Sequence, residues 1–447
     1  MQATLLIVLA FLFLKIKQIQ MKSNLLILSI AVAAIFLYSS CTKDKCKQII
    51  TYDKHVPVYL TFDELRNSVR QIDAKPIENA GKIFVYNQYL LVNEVDEGVH
   101  VFDNSDPANP IAISFINIPG NVDVWVRGNV LYADSYIDVV AIDLSDLQNI
   151  KELSRVENII PERSYAGQNY DINLGVVVAW NITEVTEEVD CNIYGTYHPL
   201  ADFSGQNLSS NSSGGNFAGG RSSAPPGIGI AGSTTRFGVY QDQLYVIDDL
   251  KIHRIDIGNS NSIVNSGSTD VTNGIETMFI ADDLMFIGAT NGMHIYSLQN
   301  PYAPTFVSTF EHVRSCDPVV VQGRYAYVTL RNGNPNCGGF SNQLDVIDIQ
   351  DIYNPTLIKT YQMVNPHGLG IDGSLLFICD GDAGLKAFDA TNINTIDQNL
   401  LAAFPNINSK DIIPFNNTAI MTGVEGIHQY DYTDVNNIAL LSIIPTK

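Results

Sequence analysis

Lys82, Asp123, Arg236, Glu276, Asp317, His367 and Asp411 recur along this 447-residue chain, each at the entry to an apolar run. Several steps between them are nearly equal: 123 − 82 = 41, 276 − 236 = 40 and 317 − 276 = 41. Arg331, Asp380 and Asp382, with Glu94, Asp134 and Asp138, lie in loops that belong to the same ends of those runs. Charges that a repeating fold brings to one mouth can hold a polar ligand, and a carboxylate pair such as Asp317 with Asp380 is equipment for general acid–base catalysis. The same side chains can instead cap strand ends and pair with one another. Asp123, Arg236, Glu276, Asp317, Arg331, His367, Asp380, Asp382 and Asp411 are the ligand-binding candidates. No residue is assigned a catalytic role and no cofactor is expected, because the chain has no nucleophile elbow, phosphate loop, metal-ligand helix or dinucleotide fingerprint.

The thiols and imidazoles are a separate question. Cys316 and Cys337 are the disulfide candidate, since a bond between them would pin an insertion, and Cys379 falls on the same face. No Cys-x-x-Cys spacing is present, so no metal site is read there. His100, His253, His294 and His428 share one repeat position, three residues before an Asp or Ser. Equivalent positions on packed sheets are about 10 Å apart, whereas zinc ligands lie about 2 Å from the metal. These four cannot meet at one ion, and hydrogen-bonded histidines between blades are expected.

What positions these groups is a strand that repeats seven times. Its copies are Gly98-Val99-His100-Val101-Phe102-Asp103, Val139-Val140-Ala141-Ile142-Asp143, Ile252-His253-Arg254-Ile255-Asp256, Gly292-Met293-His294-Ile295-Tyr296-Ser297, Leu344-Asp345-Val346-Ile347-Asp348, Gly384-Leu385-Lys386-Ala387-Phe388-Asp389 and Gly426-Ile427-His428-Gln429-Tyr430-Asp431. A turn rich in Asn, Ser and Pro follows each, most fully Asp103-Asn104-Ser105-Asp106-Pro107-Ala108-Asn109-Pro110. The terminal positions step by 143 − 103 = 40, 297 − 256 = 41, 389 − 348 = 41 and 431 − 389 = 42, the length of a four-stranded blade. Two longer steps, 256 − 143 = 113 and 348 − 297 = 51, mark insertions. Short β-branched and aromatic runs between Gly, Asn and Asp read as antiparallel strands. The fold class is therefore all-β: a β-propeller of seven four-stranded blades over about residues 80–447. An insertion at about 162–231, Gly- and Ser-rich in its second half, is expected to be a flexible loop, with an eighth degenerate blade as the rival. The last unit holds four strands of its own, so closure should need no strand from the N-terminal side.

Asn93 to Pro110, Asp345-Val346-Ile347-Asp348-Ile349 and Ile142-Asp143-Leu144-Ser145-Asp146 resemble the LVIVD repeat of bacterial and archaeal surface proteins, and the chain is similar to the Bacteroidetes lipoprotein branch of that family. The resemblance covers roughly Gly81 onward, outside the insertions. It implies a β-propeller and leaves the biochemical role open.

The N-terminus gives an address. Met21-Lys22-Ser23-Asn24 opens an apolar run from Leu25 to Tyr38 that stops at Ser39-Ser40-Cys41, so residues 1–40 read as a signal peptide with Met21 as the true start. Small residues before Cys41 resemble a lipobox, although Tyr38 stands where Leu is usual; a lipidated Cys41 would anchor the chain to a membrane without spanning it. Residues 41–79 then form a tether and a short rim segment of strand and helix, the helix starting at a capping box on Thr61 and Glu64 and ending before Pro76. The expected address is the outer membrane, facing periplasm or exterior. With 47 acidic against 26 basic residues, nucleic acid is excluded as a partner. The expected role is a binding or scaffold module with a protein or glycan partner. Its rival is a hydrolase or lyase acting on a polysaccharide or small polar substrate at the channel mouth. The sequence sets no oligomeric state.

Overall fold

Every repeat copy becomes the third strand of a four-stranded antiparallel sheet in the computed structural model, which describes residues 15, 17, 20, 47–163, 165, 168–190, 230–231, 235–248, 250–271, 274–289, 291–312, 318–332 and 341–447. The third strands are Gly98–Asp103, Asp138–Asp143, Lys251–Asp256, Gly292–Ser297, Gln343–Asp348, Leu385–Asp389 and Gly426–Asp431. Within each blade the four strands pair in chain order, first to fourth. The last residue of each third strand folds the chain back. Asp103, Asp143, Asp256, Asp348, Asp389 and Asp431 each accept a hydrogen bond from the backbone N–H two residues on, at 2.8–2.9 Å, and Ser297 does so at 3.3 Å. Three residues later a second Asx turn follows on Asp106, Asp146, Asn259, Asn300, Asp351, Asn392 or Asp434. Units two, three, six and seven, whose turns hold no proline, make the same double turn through Asp146, Asn259, Asn392 and Asp434. The side-chain acceptor, not proline, is the common element.

Just past this turn every fourth strand carries a bulge against the third, between Val101 and Phe102 in blade 1 and at the matching place in the other six. The extra residue sharpens the twist by which each sheet fits its neighbour. Gly98, Gly384 and Gly426 sit at φ +142°, +86° and +135°, and a Cβ there would fall 2.0–2.2 Å from the fourth strand's carbonyl oxygen. That contact explains the glycine that opens these repeats.

Seven apolar cores lie between successive blades. One joins Phe84, Val99 and Ile116 of blade 1 to Val124, Leu131 and Val140 of blade 2, and the series runs on to Phe377 and Leu385 of blade 6 against Ile412 and Met421 of blade 7. The seventh packs Ile83, Val92 and Phe102 of blade 1 against Ile413, Ile420 and Ile427 of blade 7, which closes the ring. Blade 7 (Ser409–Phe415, Thr418–Gly423, Gly426–Asp431, Ala439–Pro445) owns all four of its strands, as expected. Side chains complete the closure: Gln429 and Asn104 exchange hydrogen bonds at 2.7 and 2.8 Å, and Ser442 donates to the Pro107 carbonyl at 2.6 Å.

The chain divides into two compact units, Met1–Val56 with Asn181–Gln206 and Pro57–Trp180 with Asn207–Lys447. In the first, the stretch expected to be a tether is a strand from Lys47, in a two-stranded ribbon. Thr51 and Thr186 hydroxyls meet there at 3.0 Å, and Lys47 pairs with Glu188 at 3.2 Å. In the second unit Thr61 and Glu64 form the expected capping box, but the helix is short, Phe62–Arg66, because Asn67 caps it. The chain then adds a strand, Arg70–Asp73, to the outer edge of blade 1.

Two stretches of the insertion form strands. Val176–Asp190 is one long strand, and among the described residues of 162–231 no blade is built. Instead Ile230–Ala231 pairs antiparallel with Val85 and Phe84, on the inner edge of blade 1's first strand. First strands of neighbouring blades lie against one another around the centre. The end of the insertion therefore occupies the channel side of blade 1.

Candidate functional site

The mouth of the ring is built from the entries to the first strands and the ends of the second strands. In blades 1, 4 and 7 the first strand begins with a bulge: between Ala80 and Ile83, between Ile275 and Thr277, and between Ser409 and Asp411. Glu276 and Lys410 are the residues left out of the ladder in blades 4 and 7, and Gly81 with Lys82 in blade 1. Bulges re-aim side chains, and here they set three charged residues at the centre.

Most of the predicted acids are consumed by the fold. Asp123, 3% exposed, takes the Lys82 ammonium at 2.8 Å, the Thr235 hydroxyl at 3.2 Å and the Arg236 backbone N–H. One carboxylate thus ties blades 1, 2 and 3 together. Burial pulls the Lys82 ammonium below its usual range, and Asp123 offsets that in part. Asp134 accepts from the Asn121 amide and from the N–H groups of Val122 and Asp123, at 2.8–2.9 Å. Asp138 binds Arg66 and Arg155, each at 3.0 Å, and Glu94 binds His100 at 2.8 Å and the N–H of Asn79. Asp380, with no exposed surface, accepts from Val364 N–H at 3.0 Å, Asn365 N–H at 2.8 Å and the Lys386 ammonium. Asp411 accepts from the N–H of Ile412 at 2.8 Å, and exposed Asp382 meets Asn408. Buried carboxylates need such donors.

Blades 5 to 7 bring a different group together. An Arg331 Nη1 lies 3.2 Å from both ring nitrogens of His367, which is 7% exposed. Burial, then Arg331, then Lys410, push His367 down to about 2, so the ring is neutral at any physiological pH. Lys410 is held below its usual range by burial and then by Arg331, with Asp382 and Glu425 acting the other way. Arg331 is lowered by burial and raised by Glu276. Backbone contacts hold the cluster: the Thr329 hydroxyl donates to the His367 carbonyl at 2.7 Å, and Gly368 N–H donates to the Lys410 carbonyl at 2.9 Å.

Lys410 is the residue the sequence reading missed, having chosen Asp411 beside it. The bulge decides between the two, and adjacent residues in a strand otherwise face opposite ways. Asp317, Cys316, Cys337 and Cys41 lie outside the described residues. Cys379 is a buried free thiol whose pKa burial raises well above the ordinary value. Three repeat-position histidines bond within their own blade rather than between blades: His100 to Glu94, His253 to Asp248 at 2.6 Å and His294 to Thr309 at 2.7 Å. His428 stacks on Tyr430. Among the described residues no group of three or more His, Cys, Asp or Glu side chains is placed to hold a metal.

The molecule is a seven-bladed β-propeller. Its chain resembles, in fold, the computationally designed Ika8 protein (TM-score 0.48, 9% identity, 84% of this chain and 88% of that one). It also resembles BamB from Moraxella catarrhalis (0.44, 11%, 85% and 92%) and the N-terminal domain of Nup159 (0.44, 8%, 86% and 95%). No family model matches the chain, and no curated protein sequence matches it.

Proposed function

We propose that this chain is an outer-membrane lipoprotein, periplasmic or surface-facing, whose propeller serves as a binding or scaffold module of the LVIVD-repeat type. Cys41 would carry the lipid, and the channel-mouth face would meet a protein or glycan partner. The observation that supports binding over turnover is Asp380. The acid–base reading needs it beside Asp317, yet its carboxylate already takes two backbone N–H groups and the Lys386 ammonium. A general acid or base must be free to exchange a proton with substrate, and this carboxylate is a strap within blade 6. Converting Asp380 to Asn would weaken the fold and so reports on stability, not on turnover.

Two measurements test the reading. Full-length protein expressed with its leader should enter the detergent phase on cloud-point extraction, and Cys41→Ser should move it to the aqueous phase. The mature propeller should then bind solubilised envelope material saturably and release it unchanged. An aqueous wild type removes the anchor, and consumption of the bound material restores the enzyme reading.

A further inference from the structure

We propose that the side of the mouth formed by blades 5, 6 and 7 is an oxyanion site, binding a carboxylate or phosphate group of a small ligand between the Arg331 guanidinium and the Lys410 ammonium beside the His367 ring. The inference rests on the binding-module reading and names the chemistry of that face.

Three observations carry it. First, the three groups come from three blades: Arg331 follows the second strand of blade 5 (Tyr325–Leu330), His367 precedes the first strand of blade 6 (Leu369–Asp372), and Lys410 lies in the first strand of blade 7. Asp123 on the other side of the mouth also meets groups from three blades, but there a carboxylate gathers its donors, whereas here the groups that meet are two cations and an imidazole. Second, the blade 7 bulge sets Lys410 out of the ladder, as an extra residue opposite the pair Gly423 and Thr422. Third, in a chain with 47 acidic and 26 basic residues, two cations and an imidazole converge here within electrostatic reach of one another. Both cations also have partners in the fold, Glu276 acting on Arg331 and Asp382 with Glu425 acting on Lys410. The site is drawn from convergence, not from any lack of partners.

The ligand class follows from the donors. A guanidinium offers a planar fork that matches the two oxygens of a carboxylate or phosphate, and an ammonium adds a second charge without fixing orientation. His367, kept neutral when the site holds no anion, would gain a proton more readily once an anion offset Arg331 and Lys410.

The test follows the His367 ring protons by NMR in the full mature chain labelled at histidine, with His367→Gln used for assignment. Inorganic phosphate and D-galacturonate are added separately, each against sodium chloride at equal ionic strength. A saturable shift of the His367 resonance, together with a rise in its pKa, is expected with at least one probe. Phosphate alone would point to phosphate esters, and galacturonate alone to carboxylates. Arg331→Met and Lys410→Met should each weaken the response at least about tenfold. Arg331→Lys, which keeps the charge and loses the fork, guards against a folding defect and should give an intermediate loss. Absence of a saturable shift with both probes overturns the inference, as does a shift that survives Arg331→Met and Lys410→Met. If Arg331→Met binds envelope material as wild type does, the oxyanion site falls while the binding module stands; if wild type binds none, the module itself falls.

Discussion

The two faces of the ring differ in how far their bonds repeat from blade to blade. At the turns between third and fourth strands, each blade closes on itself: an Asp or Ser, then an Asp or Asn three residues on, each accepting the N–H two positions ahead. At the mouth, blades are tied to one another: Lys82 to Asp123, Arg236 N–H to Asp123, Thr329 to His367, Gly368 to Lys410. Local closure repeats because it needs the same few residues each time. Blades are tied at the turn face as well, by a hydroxyl that donates to a carbonyl in the neighbour's turn, Ser154 to Ser260, Tyr245 to Pro301, Ser308 to Ile352, Tyr361 to Ile393 and Ser442 to Pro107, whereas the ties at the mouth use different residues from one pair of blades to the next.

This contrast gives a graded set of expectations. The largest effect belongs to the mouth: Asp123→Ala leaves Lys82 buried without its counter-ion and should cost about 3–5 kcal/mol in urea unfolding. Lys82→Met combined with Asp123→Leu should recover much of that loss, because a buried pair is often replaceable by apolar side chains. If Asp123→Ala is neutral, the mouth does not hold the blades. Next, Gly98→Ala should cost of the order of 1–3 kcal/mol, from the contact with the Ile116 carbonyl and the strained φ. On the opposite face Asn259→Ala removes one Asx acceptor and should cost about 0.5–1.5 kcal/mol, nearly independent of pH.

The smallest effect separates the faces by pH. Asp103, Asp143, Asp389 and Asp431 are held below the usual carboxylate range by hydrogen bonds from the residue two positions on. A depressed carboxylate contributes stability above its unfolded pKa and loses it as pH falls through the folded value. Acid should therefore loosen these turns below the ordinary carboxylate range. Asp103→Asn with Asp431→Asn should leave neutral stability nearly unchanged while flattening the acid limb of a melting-temperature profile. An acid limb as steep as the wild type's would place the acid-sensitive groups elsewhere.

The same contrast explains what could be read from the chain. Asp103, Asp348 and Asp431 announce their turns because the partner is two residues away, so period, strand order and blade number were legible together. At the mouth Glu276, Arg331 and His367 were named, but Asp411 was chosen where Lys410 is the residue outside the ladder, because a bulge cannot be seen in the order of amino acids. Asp380 looked available because its donors, Val364 N–H and Lys386, come from opposite directions along the chain. The seat of Ile230–Ala231 against Phe84 and Val85 was equally hidden, since pairing across some 145 positions leaves no local trace.

That inner pairing bears on how the molecule can be made. Ile230–Ala231 is synthesised after blade 1 and before blades 3 to 7, so the later sheets can assemble around a strand already in place. A circular permutant beginning at blade 3 would finish its neighbours first and then have to feed the same segment into a nearly complete circle. Such a rearranged gene should yield a chain that matures slowly even when every blade in it is intact.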